Sequence, residues 1–228
     1  MARAHFSPHL FDFLMDLRVN NNREWFQGNK DRYERHVKEP LLGFIEDFGP
    51  LLHAISPHFV ADARANGGSM FRIYRDVRFS KDKSPYKTQA AAQFRHEAGK
   101  TAHAPGFYLH LAPGEVGAGV GIWRPATPTL NEIRNAIVAD PDGWEQASGD
   151  PGFLSEFSIV GDSLKRAPKG FDSDHPLIED LRRKDYIAWV DFDEEEVVSP
   201  GFLEEFAGVC RQAAPYMRFL TSALGLPF

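Results

Sequence analysis

Arg72, Arg75 and Arg78 fall within seven residues of one another, and Lys81, Lys83 and Lys87 follow them. From Arg72 to Lys87 six bases stand against two acids, Asp76 and Asp82, a net +4 in sixteen residues. The 228-residue chain carries −6, so everything outside this island carries −10. A guanidinium is a planar fork that grips phosphate, sulfate or carboxylate with two parallel hydrogen bonds, and an ammonium adds a point charge. The clustering therefore points to a small anionic ligand, with Arg72, Arg75, Arg78, Lys83, Tyr86 and Tyr108 as binding candidates. If a reaction follows binding, Asp76, Tyr86 and His110 are the candidates for proton transfer. Asp76, set between arginines, would orient one of them or hold a proton or a metal opposite the anion.

Two other readings stand beside this one. Arg–Asp pairs also lock loops, and Ser84-Pro85-Tyr86 could simply dock the segment on a sheet, which makes the island a structural ion network. Alternatively the bases read nucleic-acid phosphates while Tyr74, Tyr86, Tyr108 and Trp123 stack on bases. The −10 elsewhere would repel a polyanion, which disfavours nucleic acid as a partner. Placement separates the three: a concavity for a small molecule, an exposed stripe for nucleic acid, buried and fully paired guanidiniums for a structural network.

Other chemistry is excluded by spacing. Gly117, Gly119 and Gly121 lack the dinucleotide fingerprint spacing, and no phosphate-binding G-x-x-x-x-G-K-[ST] occurs, so no cofactor is expected. His96, His103 and His110 recur every seven residues but straddle strands and a loop, and the single Cys210 rules out a cysteine-rich zinc site, so no metal is expected. Cys210 lies in an apolar helical pattern and reads as a core thiol. Asp193-Glu194-Glu195-Glu196 reads as a solvated turn.

The elements that must position these residues follow from hydrophobic period. Ser7-Pro8 opens a helix with Leu10, Phe11, Leu14 and Leu17 on one stripe, and Asn20-Asn21-Asn22 ends it and caps the next. Phe26, Lys30, Tyr33 and Val37 then share a face; Pro40 opens a third helix that Gly49-Pro50 should kink or divide. The middle changes to period two. Phe71 and Ile73 alternate with Arg72 and Tyr74, predicting a strand with one apolar face, and Gln89–Phe94 alternates likewise. Phe107, Leu109 and Leu111 precede the turn Pro113-Gly114, after which Val116, Ala118, Val120 and Ile122 alternate with glycines. A two-residue loop there sets Leu111 opposite Val116, Leu109 opposite Ala118 and Phe107 opposite Val120, with His110 and Tyr108 facing Gly117 and Gly119. Those glycines leave an open backbone floor, for a ligand or for packing by Tyr108 and a helix. Beyond Trp123-Arg124-Pro125, Thr127 or Thr129 caps a helix carrying Leu130, Ile133, Ile137 and Val138. Shorter helices follow around Trp144 and Phe153, then a helix over 177–183, a strand over 186–192, and a final pair capped by Ser199-Pro200 and divided at Pro215.

The expected fold is therefore α+β: a single domain with a mainly antiparallel central sheet flanked by N-terminal and C-terminal helices. Residues 1–57 form its helical start, 58–124 its sheet-rich middle and 125–228 its mostly helical end. At 43 % hydrophobic and 25 % charged the composition is that of a folded globular chain, excluding a disordered tail or coiled coil. Strongly apolar stretches such as Leu41-Leu42-Gly43-Phe44-Ile45 fall far short of the ~20 residues of a membrane span. With no secretory pattern after Met1 and one cysteine, a cytoplasmic location is expected. The oligomeric state leaves no signal in the sequence.

Residues 72–87 read R-x-x-R-D-x-R-F-x-x-D-K-x-x-Y, and this pattern resembles the signature of a bacterial family, domain of unknown function 2461. Asn21-Asn22-Arg23-Glu24-Trp25-Phe26, Gly106-Phe107-Tyr108-Leu109, Trp123-Arg124-Pro125 and the stretch from His175-Pro176-Leu177 to Lys184-Asp185 extend the resemblance across nearly the whole chain. The resemblance brings no reaction with it, so no catalytic residue is transferred from it.

Overall fold

Pro8 fixes the backbone for a first helical turn and sacrifices no needed donor there, so α1 runs Pro8–Val19 and buries Leu10, Phe11, Phe13, Leu14 and Leu17. The computed structural model to which this helix belongs describes residues 3–100 and 104–228. Asn20 ends α1, and the Asn22 side chain accepts the Trp25 amide at 2.9 Å to start α2 (Arg23–Gly28). The face expected to join Phe26, Lys30, Tyr33 and Val37 is interrupted. Asn29 breaks the helix by donating its side-chain amide to the Trp25 carbonyl, and α3 (Lys30–Tyr33) passes into a π-helical turn over Glu34–Lys38. Phe26, Tyr33 and Val37 are buried, while Lys30 is exposed.

The next helix, α4 (Glu39–Ile55), is continuous where a kink or division at Gly49-Pro50 was expected. Pro50 is exposed, and so is Glu46, whose carbonyl the proline leaves without its helical partner; on that side water can satisfy it. The opposite side, Leu41, Phe44, Ile45, Phe48 and Leu52, is fully buried and holds the helix together across the proline.

Six strands form one antiparallel sheet in the order β1-β2-β3-β4-β6-β5. They are β1 (Phe59–Val60), β2 (Ala90–His96), β3 (Gly106–Ala112), β4 (Glu115–Ile122), β5 (Ser158–Val160) and β6 (Tyr186–Asp191). The β3–β4 hairpin has the expected register: Leu111 faces Val116, Leu109 faces Ala118, Phe107 faces Val120, and His110 and Tyr108 face Gly117 and Gly119. Phe94, Phe107, Leu109, Leu111, Ala118 and Ala188 form the buried floor of the core. Phe48 and Phe206 close over it, each ring 4.7–5.9 Å from Phe94.

The C-terminal elements are α5 (Thr127–Ala139), α6 (Pro141–Ser148), α7 (Pro151–Glu156), α8 (Ile178–Leu181), α9 (Glu194–Val197), α10 (Phe202–Gln212) and α11 (Ala214–Ala223). Helix α5 starts at Thr127 itself with Pro128 in its first turn, so neither Thr127 nor Thr129 occupies the capping position; Val138 is 42 % exposed, off the buried stripe. The acidic run opens α9 through a capping box between Asp193 and Glu196. Gly201, one residue beyond Ser199-Pro200, precedes α10. No helix among the described residues is long and apolar enough to cross a membrane.

The strand expected over Phe71–Tyr74 is replaced by a change of partner. The Phe71 amide donates to Ala91 of β2, whereas Arg75 donates to Pro85 and Lys87 to Ile73, so the chain next pairs with its own continuation. Pro85 has no amide to donate, which limits that pairing to the single bridge Tyr74–Tyr86. The switch also breaks the shared apolar face. Ile73 joins the core and Tyr74 packs near Phe26, but Phe71 lies against Tyr108, on the side opposite Phe107.

Candidate functional site

The basic segment is a loop tied at its base. Asn21, from the turn after α1, clamps Tyr86 on both sides: its side chain accepts the Tyr86 amide at 3.1 Å and donates to the Tyr86 carbonyl at 3.0 Å. The Tyr86 ring stacks on Phe26 with centroids 4.1 Å apart. This places the start of the loop beside the last turn of α1 and opens a cleft of about 480 Å³ between them.

Arg18 from α1, Arg75 and Lys87 line this cleft together with Asp82, Tyr86 and Gln89. Three basic residues from two distant segments thus line one concavity with one carboxylate residue among its lining, and the Arg18 guanidinium donates to the Pro113 carbonyl at 3.1 Å. Arg75 pairs with Asp82, and Asp82 also accepts the Ser84 amide at 2.9 Å and its hydroxyl at 2.6 Å. The Ser84 bonds, then the Arg75 guanidinium, hold the Asp82 carboxyl well below the usual aspartate range. Lys87 donates to the Arg72 carbonyl at 3.0 Å and sits 5.1 Å from the Phe71 ring centroid. Burial, with a smaller push from Arg72, lowers its ammonium pKa. Burial likewise raises the Tyr86 phenol pKa.

The expected site residues divide between this cleft and its surroundings. Arg75 and Tyr86 line it. Arg72 and Arg78 are not among its lining residues; both act on Asp76, and the Arg72 charge also reaches Lys87. Arg78 instead makes a two-pronged pair with Asp76, 2.9 and 2.7 Å, out on the exposed loop, where its guanidinium holds the Asp76 carboxyl low. Lys83 donates to the Val77 carbonyl and pins the loop tip. Lys87 belongs to the charge island that pointed to the site, whereas Arg18 was absent from the expected binding residues. Arg18 sits in an amphipathic helix, fifty-seven residues before Arg75, and nothing in the local pattern distinguishes it from an ordinary surface arginine.

Tyr108 and His110 stand behind the cleft. The Tyr108 hydroxyl lies 2.9 Å from His110 Nδ1; burial raises its pKa, and the Gln89 side chain, itself a cleft residue, opposes that rise. His110 is 8 % exposed and its Nε2 has no hydrogen-bond partner among the described residues; burial lowers its pKa and keeps the ring neutral. His103 lies outside the described residues.

The glycine floor of β4 is closed. A Cβ at Gly117 would lie 2.5 Å from Trp189 Cζ2 and 2.7 Å from Cε2, and one at Gly119 3.3 and 3.4 Å from Cε3 and Cζ3. Packing therefore accounts for these glycines, and the packing group is an indole from the neighbouring strand β6 rather than a helix. A second depression, of about 630 Å³, is lined by Asp142, Glu145 and Asp150 and has the wrong charge for an anion. Among the described residues no group of three or more His, Cys, Asp or Glu side chains has the geometry to hold a metal. Cys210 is fully buried and burial pushes its thiol pKa far up.

Compared with known proteins, residues 9–219 match the family described as "Conserved hypothetical protein (DUF2461)". No curated protein matches the chain.

Proposed function

We propose that this chain, which belongs to the DUF2461 family, binds a small phosphate- or carboxylate-bearing ligand in the cleft between α1 and the basic loop. The observation that carries this reading is the meeting of Arg18, Arg75 and Lys87 at one concavity in a protein of net charge −6. Arg75 is the anchor: its side chain is 29 % exposed and already engages a carboxylate, that of Asp82, as it would engage a ligand's. Arg18 and Lys87 supply further positive charge, and Tyr86 is the one proton-transfer candidate that lines the cleft. Asp76 is committed to Arg78 and His110 to Tyr108.

A structural role for the loop has its own support in the Arg75–Asp82–Ser84 cluster and in the lysines that tie back to the Arg72 and Val77 carbonyls. Thermal melts separate the two. Inorganic phosphate at about a hundred times its Kd should stabilise the protein by about 2.7 kcal/mol, a rise of ~5–10 °C for a domain of this size. Arg75→Ala and Arg18→Ala should abolish that rise and Arg78→Ala should keep it. A wild-type melt indifferent to phosphate, with a large loss of Tm in Arg75→Ala, would leave the structural role alone.

A further inference from the structure

The indole of Trp189 lies flat on the sheet. Opposite edges of its six-membered ring, Cζ2–Cε2 and Cε3–Cζ3, rest over Gly117 and Gly119, and both edges are close to the strand, so the ring plane runs along β4. Only glycine at both positions permits this, because a side chain at either would lift the ring. Nε1 donates to Asp191 Oδ1 at 2.6 Å, which fixes the indole against rotation. One face of the ring is therefore spent on the backbone. Trp189 is nonetheless only half-buried, so part of the indole remains open to solvent.

The platform is continuous with the anion cleft. From Lys87, which lines the cleft, the path runs 5.1 Å to the Phe71 ring, 6.0 Å on to Tyr108 and 6.4 Å on to Trp189. Phe71, Tyr108 and Trp189 are each half-buried, so a row of partly exposed rings, inclined 77° and then 42° to one another, leads away from the cations. Gln89 lines the cleft and stands near enough to the Tyr108 hydroxyl to influence it. Beside the row, His110 Nε2 is a buried polar atom without a partner, its ring 6.2 Å from Trp189. Rings fixed before binding lose little entropy when a planar group stacks on them.

We propose that the ligand is an anion carrying a planar ring, a phosphorylated nucleoside in chemical class, with the phosphate in the cleft at Lys87 and the ring over Tyr108, where it reaches the near edge of Trp189. This rests on the cleft being an anion site. The ligand is a small molecule: the −10 outside the basic island opposes a polymer of phosphates.

Calorimetry with four probes tests it: inorganic phosphate, ribose 5-phosphate, adenosine 5′-monophosphate and uridine 5′-monophosphate. The two ring-bearing esters should bind about tenfold or more tightly than ribose 5-phosphate, and they should quench tryptophan fluorescence. In Trp189→Leu the ring advantage should vanish while phosphate and ribose 5-phosphate bind as before. Trp189→Phe, which keeps a flat ring over the glycines, should retain part of the advantage and lose the quench. Equal affinity of all three esters for the wild type would overturn the ring site and leave the anion site standing. A ring advantage that survives in both Trp189 variants would overturn the assignment to Trp189. Binding of none of the probes would overturn both.

Discussion

Substituting the β4 glycines by alanine should produce graded losses of stability that follow the space above each one. A Cβ at Gly117 would stand 2.5 Å from both Trp189 Cζ2 and the Val190 carbonyl oxygen. The ring can move, but the carbonyl belongs to the backbone of a paired strand, so β6 itself must shift. Forcing one methyl into such a place costs ~1–3 kcal/mol, and at ~2–4 °C per kcal/mol Gly117→Ala should melt roughly 2–12 °C below the wild type. Gly119→Ala meets only side-chain atoms at 3.3 Å and beyond, so a small tilt of the indole accommodates it and the loss should be at most ~1 kcal/mol. Gly121 should be the least tolerant. Its φ is +120°, and a Cβ would fall 2.0 Å from the Tyr186 carbonyl oxygen, so backbone strain of ~1–3 kcal/mol adds to the clash. Gly43 in α4 is the control with the opposite sign: nothing lies within 4 Å, and Gly43→Ala should stabilise by ~0.5–1 kcal/mol. Calorimetric or circular-dichroism melts of the four variants give the order directly. The sharper test is a double variant, because the cost of Gly119→Ala should disappear in a Trp189→Leu background. A Gly117→Ala protein that melts with the wild type, or a Gly119 cost unchanged without the indole, would refute the flat-lying ring.

Asp82 should remain ionised at a pH where ordinary aspartates have taken up a proton, as followed by the 13C shift of its carboxyl carbon. Because its folded pKa lies below the ordinary aspartate value, the loop is favoured above that value and loses this contribution as pH falls through the lower folded one. Ser84→Ala, which removes the hydroxyl bond and keeps the amide bond, and Arg75→Ala, which removes a bond and a charge, should each raise the Asp82 pKa; a value unmoved in both would contradict that account. The Cys210 thiol, fully buried with its pKa pushed far up, should resist an aromatic disulfide reagent in the native protein and react once the protein is unfolded in guanidinium. Rapid reaction in buffer would show that α10 opens locally.

Local pattern alone determined most of the architecture. The β3–β4 register follows from Pro113-Gly114 and the period of two, since a slip of one residue would turn Phe107, Leu109 and Leu111 to the other face. The helices follow from stripes such as Leu10, Phe11, Leu14 and Leu17, and the charge island picked out Arg75 and Tyr86. Where sequence reading failed, a partner distant in the chain decided the outcome. Phe71 and Tyr74 exchanged sides because the segment leaves β2 to pair with residues 85–87, and alternation cannot express a change of partner. Arg78, three residues after Arg75, stays outside the cleft because Asp76 holds it on the exposed loop, and Arg72, three residues before, is not in the lining although its carbonyl accepts from Lys87. Arg18 enters it because Asn21 clamps Tyr86 and so sets the end of α1 beside the loop. The glycines of β4 announced a close approach without saying by what, and the indole that approaches comes from a strand seventy residues later in the chain. A sequence specifies which residues are charged, apolar or without a side chain; which of them share one concavity is fixed by pairings between distant segments, and those have no local signature.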